Sequence, residues 1–394
     1  MLAVLPTLSS LVAAPRIQSH RWSRAAGQQS IAYERVASSS SAPPVLLLNG
    51  FGVGSFHWHR VIETIADDSG ATCYGMDYLG QGGSWPVDCA DGTAPSEAGL
   101  RYAIDDWAEQ TVEFLEDVVL ADDGGGGGGR VRLVGNSVGG LMAALLAARR
   151  PDLVEGVVLL NATPIWGSDL PGWDGRLPAP PVPKAVGRLL FDAIRNEQTI
   201  ATMLGAVYAE PRAVGGELPR QIREVTDATD GGHAAFASIL WSPPAAMPGG
   251  NGRFDDLLRE VRCPVLLLYG EQDPWVTPPF GRSAYRALAA RGGGQDASAA
   301  AGAGVQLVSL APCGHCPQHE APRATAALVG RWLRGDAELL RGAAGGEGAG
   351  GDGTAEPSCS ETFAEAFGPV RARRLGAEEL ELGPWERVLT WALR

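Results

Sequence analysis

The chain has 394 residues, 45% of them apolar, and a formal net charge of −13. That acidic balance argues against nucleic acid as a partner, because phosphate binding needs a basic surface. The longest apolar candidate, Met1 to Ala14, is too short to cross a bilayer and is interrupted by Pro6, Ser9 and Ser10.

The first residues carry a signal of their own. No Asp or Glu precedes Glu34, whereas Arg16, Arg21, Arg24 and several serines do, so residues 1–18 read as a possible organelle-targeting segment. An ordinary frayed terminus is the competing reading. "RWSRAAGQQSIAYERV" follows and reads as a hairpin at an antiparallel sheet edge.

From there short apolar runs alternate with helical patterns. Val45–Leu48, Val131–Val134, Val157–Leu160, Val265–Tyr269 and Val305–Leu310 have the length and composition of buried parallel strands. Helical stretches such as Asp105–Val119 and Leu141–Arg150 lie between most of them, the rhythm of a doubly wound α/β sheet. Core segments are expected at 19–160 and 263–341. Between them, 161–262 lacks strands, and in Lys184–Arg195 the apolar Val186, Leu189, Leu190, Ala193 and Ile194 share one helix face. An all-helical insertion there reads as a cap over the sheet's carboxyl edge, where open α/β sheets bind ligands.

Three low-complexity tracts read as loops. Gly124–Gly129 lacks the Gly-Lys-Ser/Thr ending of a phosphate-cradling loop, Gly292–Gly304 reads as a surface insertion, and Gly342–Gly353 as a linker. Residues 342–394 are therefore set apart as linker and tail, the tail being either a membrane-surface contact or a strap on the domain.

Chemistry concentrates at the ends of the strands. Gly135-Asn136-Ser137-Val138-Gly139 joins a buried strand directly to an Ala/Leu-rich helix, so Ser137 must occupy a sharp turn, and the flanking glycines relieve the clash. This makes Ser137 the expected nucleophile. Asn49-Gly50-Phe51-Gly52 follows an earlier strand where a second backbone N–H is needed, so Phe51 and Val138 are the expected oxyanion donors. In Glu271-Gln272-Asp273-Pro274-Trp275, Asp273 is the expected orienter of a base, with Glu271 as competitor.

Cys313-Gly314-His315-Cys316 admits two readings, a redox dithiol or a loop carrying a catalytic histidine. A thioredoxin-like dithiol should open a helix in a small βαβ domain, but here a long sheet precedes and Pro317 follows. With a serine and an acid already in place, His315 is the expected general base and the thiols are loop packing. His319, four residues on, raises metal ligation with His315, against which Pro317 and the lack of a third ligand both count. Six cysteines in so long a chain are no disulfide framework, and Asp77 reads as the brace of a strand-end turn.

Taken with "GFGVGSFHW", "DYLGQG", "LLNATPIWG", "FASILWSPP", "YGEQDPWV" and "GHCPQHEAP", the chain from about residue 20 to 335 resembles the α/β-hydrolase-fold serine hydrolases. Within them it is similar to the pheophytinase and chlorophyll dephytylase family of plastids. That resemblance implies a Ser137–His315–Asp273 triad cleaving the phytyl ester of a chlorophyll-type pigment, without metal or organic cofactor. It also implies a chloroplast location and possible peripheral association with the thylakoid membrane. Trp166, Trp241 and Trp275, with the cap, offer apolar area for a flat ring and a long chain; plain core packing is the alternative. Asn49 departs from the His or Pro that many relatives have before the glycine. Another long-chain esterase, or a ligand-sensing hydrolase with little turnover, are the readings held against it. Dehalogenase and epoxide hydrolase chemistry would need a carboxylate at position 137.

Overall fold

A computed structural model describes residues 16–24, 29–85, 98–122, 129–168, 170–227, 232–247, 253–291, 304–336, 339–340, 360–375 and 378–392. The expected targeting segment up to residue 15, most of the three Gly-rich tracts, Cys89 and Cys359 lie outside the described residues.

Ten strands form one sheet: β1 (Gln18–Arg24), β2 (Gln29–Val36), β3 (Ala42–Leu48), β4 (Ala71–Met76), β5 (Val131–Asn136), β6 (Val154–Leu160), β7 (Val265–Gly270), β8 (Val305–Ala311), β9 (Ser360–Glu365) and β10 (Gly368–Arg374). Their order is β1-β2-β4-β3-β5-β6-β7-β8-β10-β9. Neighbours from β4 through β8 pair in parallel, and an antiparallel hairpin closes each edge. The five apolar runs are the central strands β3, β5, β6, β7 and β8, and the N-terminal hairpin is β1–β2.

Burial on both faces explains those runs. Leu46, Leu48, Leu133, Val157 and Leu267 point into one core layer, whereas Val45, Leu47, Val134, Val158 and Leu266 point into the other. Alternate side chains on a strand face opposite ways, so a strand covered on both sides must be apolar throughout. The helix Val138–Arg149 is itself buried from Val138 to Ala147, sandwiched between sheet and outer helices.

The chain reverses its winding between β3 and β5. It steps from β3 outward to β4, then returns past β3 to β5. The carboxyl ends of β3 and β5 thus flank a topological switch point, where open α/β sheets present a crevice. Asn49 and Ser137 follow directly at those two ends.

Among the described residues, four helices span the insertion between β6 and β7: Pro181–Ile194, Glu197–Gly205, Glu217–Asp227 and His233–Trp241. A fifth, Phe254–Glu260, packs on Pro278–Ala289 and Val138–Arg149, so the end of 161–262 belongs to the core. The apolar stripe expected to bury in Pro181–Ile194 faces the other way. Pro183, Gly187 and Phe191 are buried, while Val186, Leu189 and Leu190 are exposed, Leu189 to 70%. One helix carries two apolar stripes, and the shorter is the one that packs.

Residues 342–394 are not simply linker and tail. β10 pairs with β8 from Arg371↔Ala311 to Arg374↔Val308, and Val370 and Ala372 are buried in the core layer beneath. The helix Pro384–Ala392 docks through a contact between Arg282 and Glu386, with Arg286 and Glu381 paired at 2.7 Å. Along these residues the strap reading of the C-terminal segment holds.

Candidate active site

The turn at Ser137 is a strained point of the sheet's carboxyl edge. Its backbone has φ 56° and ψ −120°, a region that L-residues rarely adopt. The glycines on either side permit it. A Cβ at Gly135 would stand 2.1 Å from the Gly139 carbonyl oxygen, and one at Gly139 would stand 2.0 Å from that of Leu48. Strand, turn and helix therefore close up tightly, leaving Ser137 partly exposed at the helix N-terminus, where the dipole favours negative charge.

The turn after β3 lies against it: a Cβ built on Gly50 would come 3.3 Å from the Ser137 Cβ. Phe51 and Val138, the expected oxyanion donors, are thus next in chain to Gly50 and Ser137, which are in mutual contact. Asn49 is buried and donates to the carbonyls of Gly50 and Val53, fixing the turn.

Asp273 and His315 meet as the sequence expects. His315 Nδ1 lies 2.6 Å from Asp273 Oδ2, and both side chains are almost wholly buried. The other carboxylate oxygen accepts from the backbone N–H groups of Trp275 (2.8 Å) and Val276 (3.0 Å). Glu271 turns away, to 3.7 Å from Arg373 on the C-terminal hairpin, which removes it as the histidine's partner. Among the described residues, His315 Nε2 is buried without a hydrogen-bond partner. Nδ1 is engaged, and the other ring nitrogen remains for chemistry.

The histidine loop is held from three sides. His315 N–H donates to the cap carbonyl of Val207 at 2.9 Å, and its own carbonyl accepts from Asn136 Nδ2 at 3.0 Å. Glu320 accepts from the N–H groups of Gly314, Cys316 and, in the cap, Ala209. Burial raises the pKa of Glu320 despite these three donors.

The two thiols flanking the histidine lie inside. Burial pushes Cys313 and Cys316 well above the ordinary thiol range, so the thiolate that a redox dithiol needs is suppressed. His319 turns from His315 and meets the Tyr208 hydroxyl at 3.1 Å. With His57, whose Nε2 is 3.5 Å from the same hydroxyl, it forms a buried pair, ring centroids 5.3 Å apart. Burial lowers His57 to about 3 and His319 to about 2, which keeps both neutral. Asp77 accepts from Ser55 and Gly83 N–H, a brace at the end of β4, with its pKa pushed up to about 6 by burial.

Aromatic rings line the way from the cap to this edge. Phe51 sits 4.8 Å from Trp166 and 6.2 Å from Phe236, which in turn lies 5.6 Å from Phe191. Trp275 is 61% exposed and sets its edge against His315 at 5.1 Å. Trp166 and Trp275 are therefore beside the site. Trp241, half-buried at the end of its helix, has no ring contact or hydrogen bond to the three polar residues among those described. Sequence reasoning missed Phe236 and Phe191, whose packing depends on how the cap folds back.

It also missed three polar residues: Asn136, Gln318 and Asn161. Gln318 Nε2 donates to Asn136 Oδ1 at 3.0 Å, and Asn161 Nδ2 donates to Asp273 Oδ2 at 2.7 Å. Their signal was modest: Asn136 and Asn161 stand at or just past strand ends, beside the chemistry.

Fold and site together define the class. Residues 45–328 match the model of the alpha/beta hydrolase family, and the chain belongs to that family. It is 30% identical over 337 residues to "Pheophytinase, chloroplastic" of Arabidopsis thaliana, an alignment covering 77% of this chain and 63% of that protein. It thus spans somewhat less than two thirds of that relative. It is 24% identical over 311 residues to a proline iminopeptidase of Lactobacillus delbrueckii subsp. bulgaricus, covering 76% of this chain and 92% of the relative. Among solved structures, a thermophilic esterase from Thermogutta terrifontis superposes with a TM-score of 0.54 at 21% identity, over 81% of this chain and 98% of the other.

Proposed function

We propose that this hydrolase is a serine carboxylic-ester hydrolase that cleaves the phytyl ester of a chlorophyll-type pigment, pheophytin or chlorophyll. The observation that carries the chemistry is the buried 2.6 Å contact between His315 Nδ1 and Asp273 Oδ2 at the edge where Ser137 occupies its strained turn. In this reading His315 Nε2 takes the proton of Ser137 Oγ as that oxygen attacks the ester carbonyl carbon. The backbone N–H groups of Phe51 and Val138 stabilise the oxyanion. The imidazolium then gives its proton to the departing alkoxide, releasing phytol. Water, deprotonated by His315, attacks the acyl-enzyme, which frees the dephytylated acid and returns the proton to Ser137. Asp273 fixes the imidazole tautomer and stabilises its charged form. Neither a metal nor an organic cofactor enters any step.

Two features support a large apolar ester: the resemblance to a protein named pheophytinase, and the aromatic series Phe51, Trp166, Phe236 and Phe191 running from the turn after β3 into the cap. Plastid location and peripheral contact with the thylakoid membrane belong to the same proposal. The deciding experiment incubates purified protein with paired Mg-free and Mg-containing pigments and with long-chain esters, then identifies the products. Release of phytol and the dephytylated pigment, lost in Ser137→Ala, is the expected result. Turnover of long-chain esters alone would make it a different esterase. Tight pigment binding without product would make it a ligand sensor.

A further inference from the structure

We infer that Asn161 is a positioning residue for the proposed triad: it holds the Asp273 carboxylate against His315, acting through the carboxylate without touching substrate. The inference rests on the hydrolase reading above.

Asn161 is the first residue beyond β6, where the chain leaves the sheet for the cap, and it is fully buried. Its Nδ2 donates to Asp273 Oδ2 at 2.7 Å, the same oxygen that faces His315 Nδ1 at 2.6 Å. Its Oδ1 accepts from the N–H of Gly270, the last residue of β7, at 2.9 Å. One amide thus fixes both the start of the acid-bearing loop and the acid itself. The amide has only one workable orientation, because the flipped form would set its oxygen against the carboxylate and its NH2 against the Gly270 N–H.

The two carboxylate oxygens divide the work. Oδ1 is tied to its own loop through Trp275 and Val276, which anchors the side chain. Oδ2 receives donors from outside that loop, His315 and Asn161. In the proposed cycle the exchanged proton sits on Nε2, so both donors persist; the Asn161 amide, which does not titrate, holds the oxygen independently of how the imidazole moves. The oxygen therefore stays in place while the imidazole gains and loses its proton.

The backbone supports the assignment. Asn161 has φ 41°, and besides Ser137 it is the only described non-glycine residue with positive φ. Asparagine tolerates that conformation better than most side chains. A strained residue carrying two well-made buried hydrogen bonds at a reacting edge points to function.

The test uses p-nitrophenyl butyrate hydrolysis by the full chain. Asn161→Gly accepts the backbone angle and removes both hydrogen bonds. Asn161→Asp keeps the shape and the acceptor for Gly270 but replaces the donor with an acceptor facing Asp273. We expect kcat to fall about 10- to 100-fold in each, with KM within about two-fold of wild type and a cooperative thermal transition retained. In an Asp273→Ala background, adding Asn161→Gly should change kcat by less than about two-fold, because the group through which it acts is gone. Full multiplication of the two losses, or an Asn161→Asp enzyme with near-wild-type kcat, overturns the inference. Should Asn161→Gly fail to fold, Asn161→Asp alone decides. Ser137→Ala run in parallel separates the failures: its continued turnover sinks the hydrolase reading and this inference with it, whereas an inactive Ser137→Ala beside unaffected Asn161 variants sinks only the inference.

Discussion

Ser137 stores strain that two substitutions can expose. Alanine and glycine both remove the hydroxyl, but only glycine is comfortable at φ 56° and ψ −120°. A backbone held in such a region costs on the order of 1–3 kcal/mol. In an unstrained position the glycine variant would be the weaker by about 0.5–1 kcal/mol, through its greater freedom in the unfolded chain. Offsetting the two leaves Ser137→Gly more stable than Ser137→Ala by about 1 kcal/mol. At roughly 2 cal/mol/K per residue, the unfolding entropy makes that difference about 1 °C in Tm, within the reach of scanning calorimetry. Activity, read on an ester substrate, should fall about 1000-fold or more in both. The alanine variant melting above the glycine variant would refute the strain argument. Either variant keeping near-normal turnover would refute the role of the hydroxyl.

Further outcomes follow from other parts of the structure. Cys313→Ser with Cys316→Ser should leave most of the activity, and both thiols should resist a thiol reagent at neutral pH until the protein unfolds, as mass spectrometry of the labelled chain would report. Gly139→Ala forces a Cβ to within 2.0 Å of the Leu48 carbonyl oxygen, so it should cost more than about 3 kcal/mol and yield little folded enzyme in a denaturation assay. His57 and His319 are held neutral with folded-state pKa values of about 3 and about 2, below the unfolded 6.5. Their unfolded forms take up protons first, so stability is full above about pH 6.5 and is lost as pH falls, by roughly 1 kcal/mol per histidine at one unit below. Asp77, raised to about 6, works in the opposite direction below that pH and offsets part of the loss. Urea titrations of His57→Gln at pH 7 and pH 5.5 should show a flatter pH dependence than wild type.

The sequence showed the central strands because burial on both faces leaves an unbroken apolar run. β4 escaped notice because Thr72 and Gly75 interrupt it, although Cys73, Tyr74 and Met76 are buried. β9 and β10 escaped because edge strands keep a solvent side, and "VRARR" reads as a charged tail until β8 is placed beside it. Ser137 was legible because its two glycines stand between a buried apolar run and an Ala/Leu-rich helix, a context that dictates a sharp turn. Asn161 was not, because its two partners come from beyond the whole cap. Lys184–Arg195 misled because periodicity finds an apolar face without saying which face meets a neighbour.

The C-terminal hairpin also bears on how the chain is made. β8 is synthesised before β10 and before everything between them, so until β10 arrives it presents a row of unpaired N–H and C=O groups to the surrounding solution. An open parallel sheet with such an edge invites pairing with another chain. The loop carrying His315 follows directly from β8, so the proposed catalytic histidine hangs on the strand that is protected last. A nascent or clipped chain lacking residues 360–374 would retain all three proposed catalytic residues in its sequence and still be the form most exposed to aggregation.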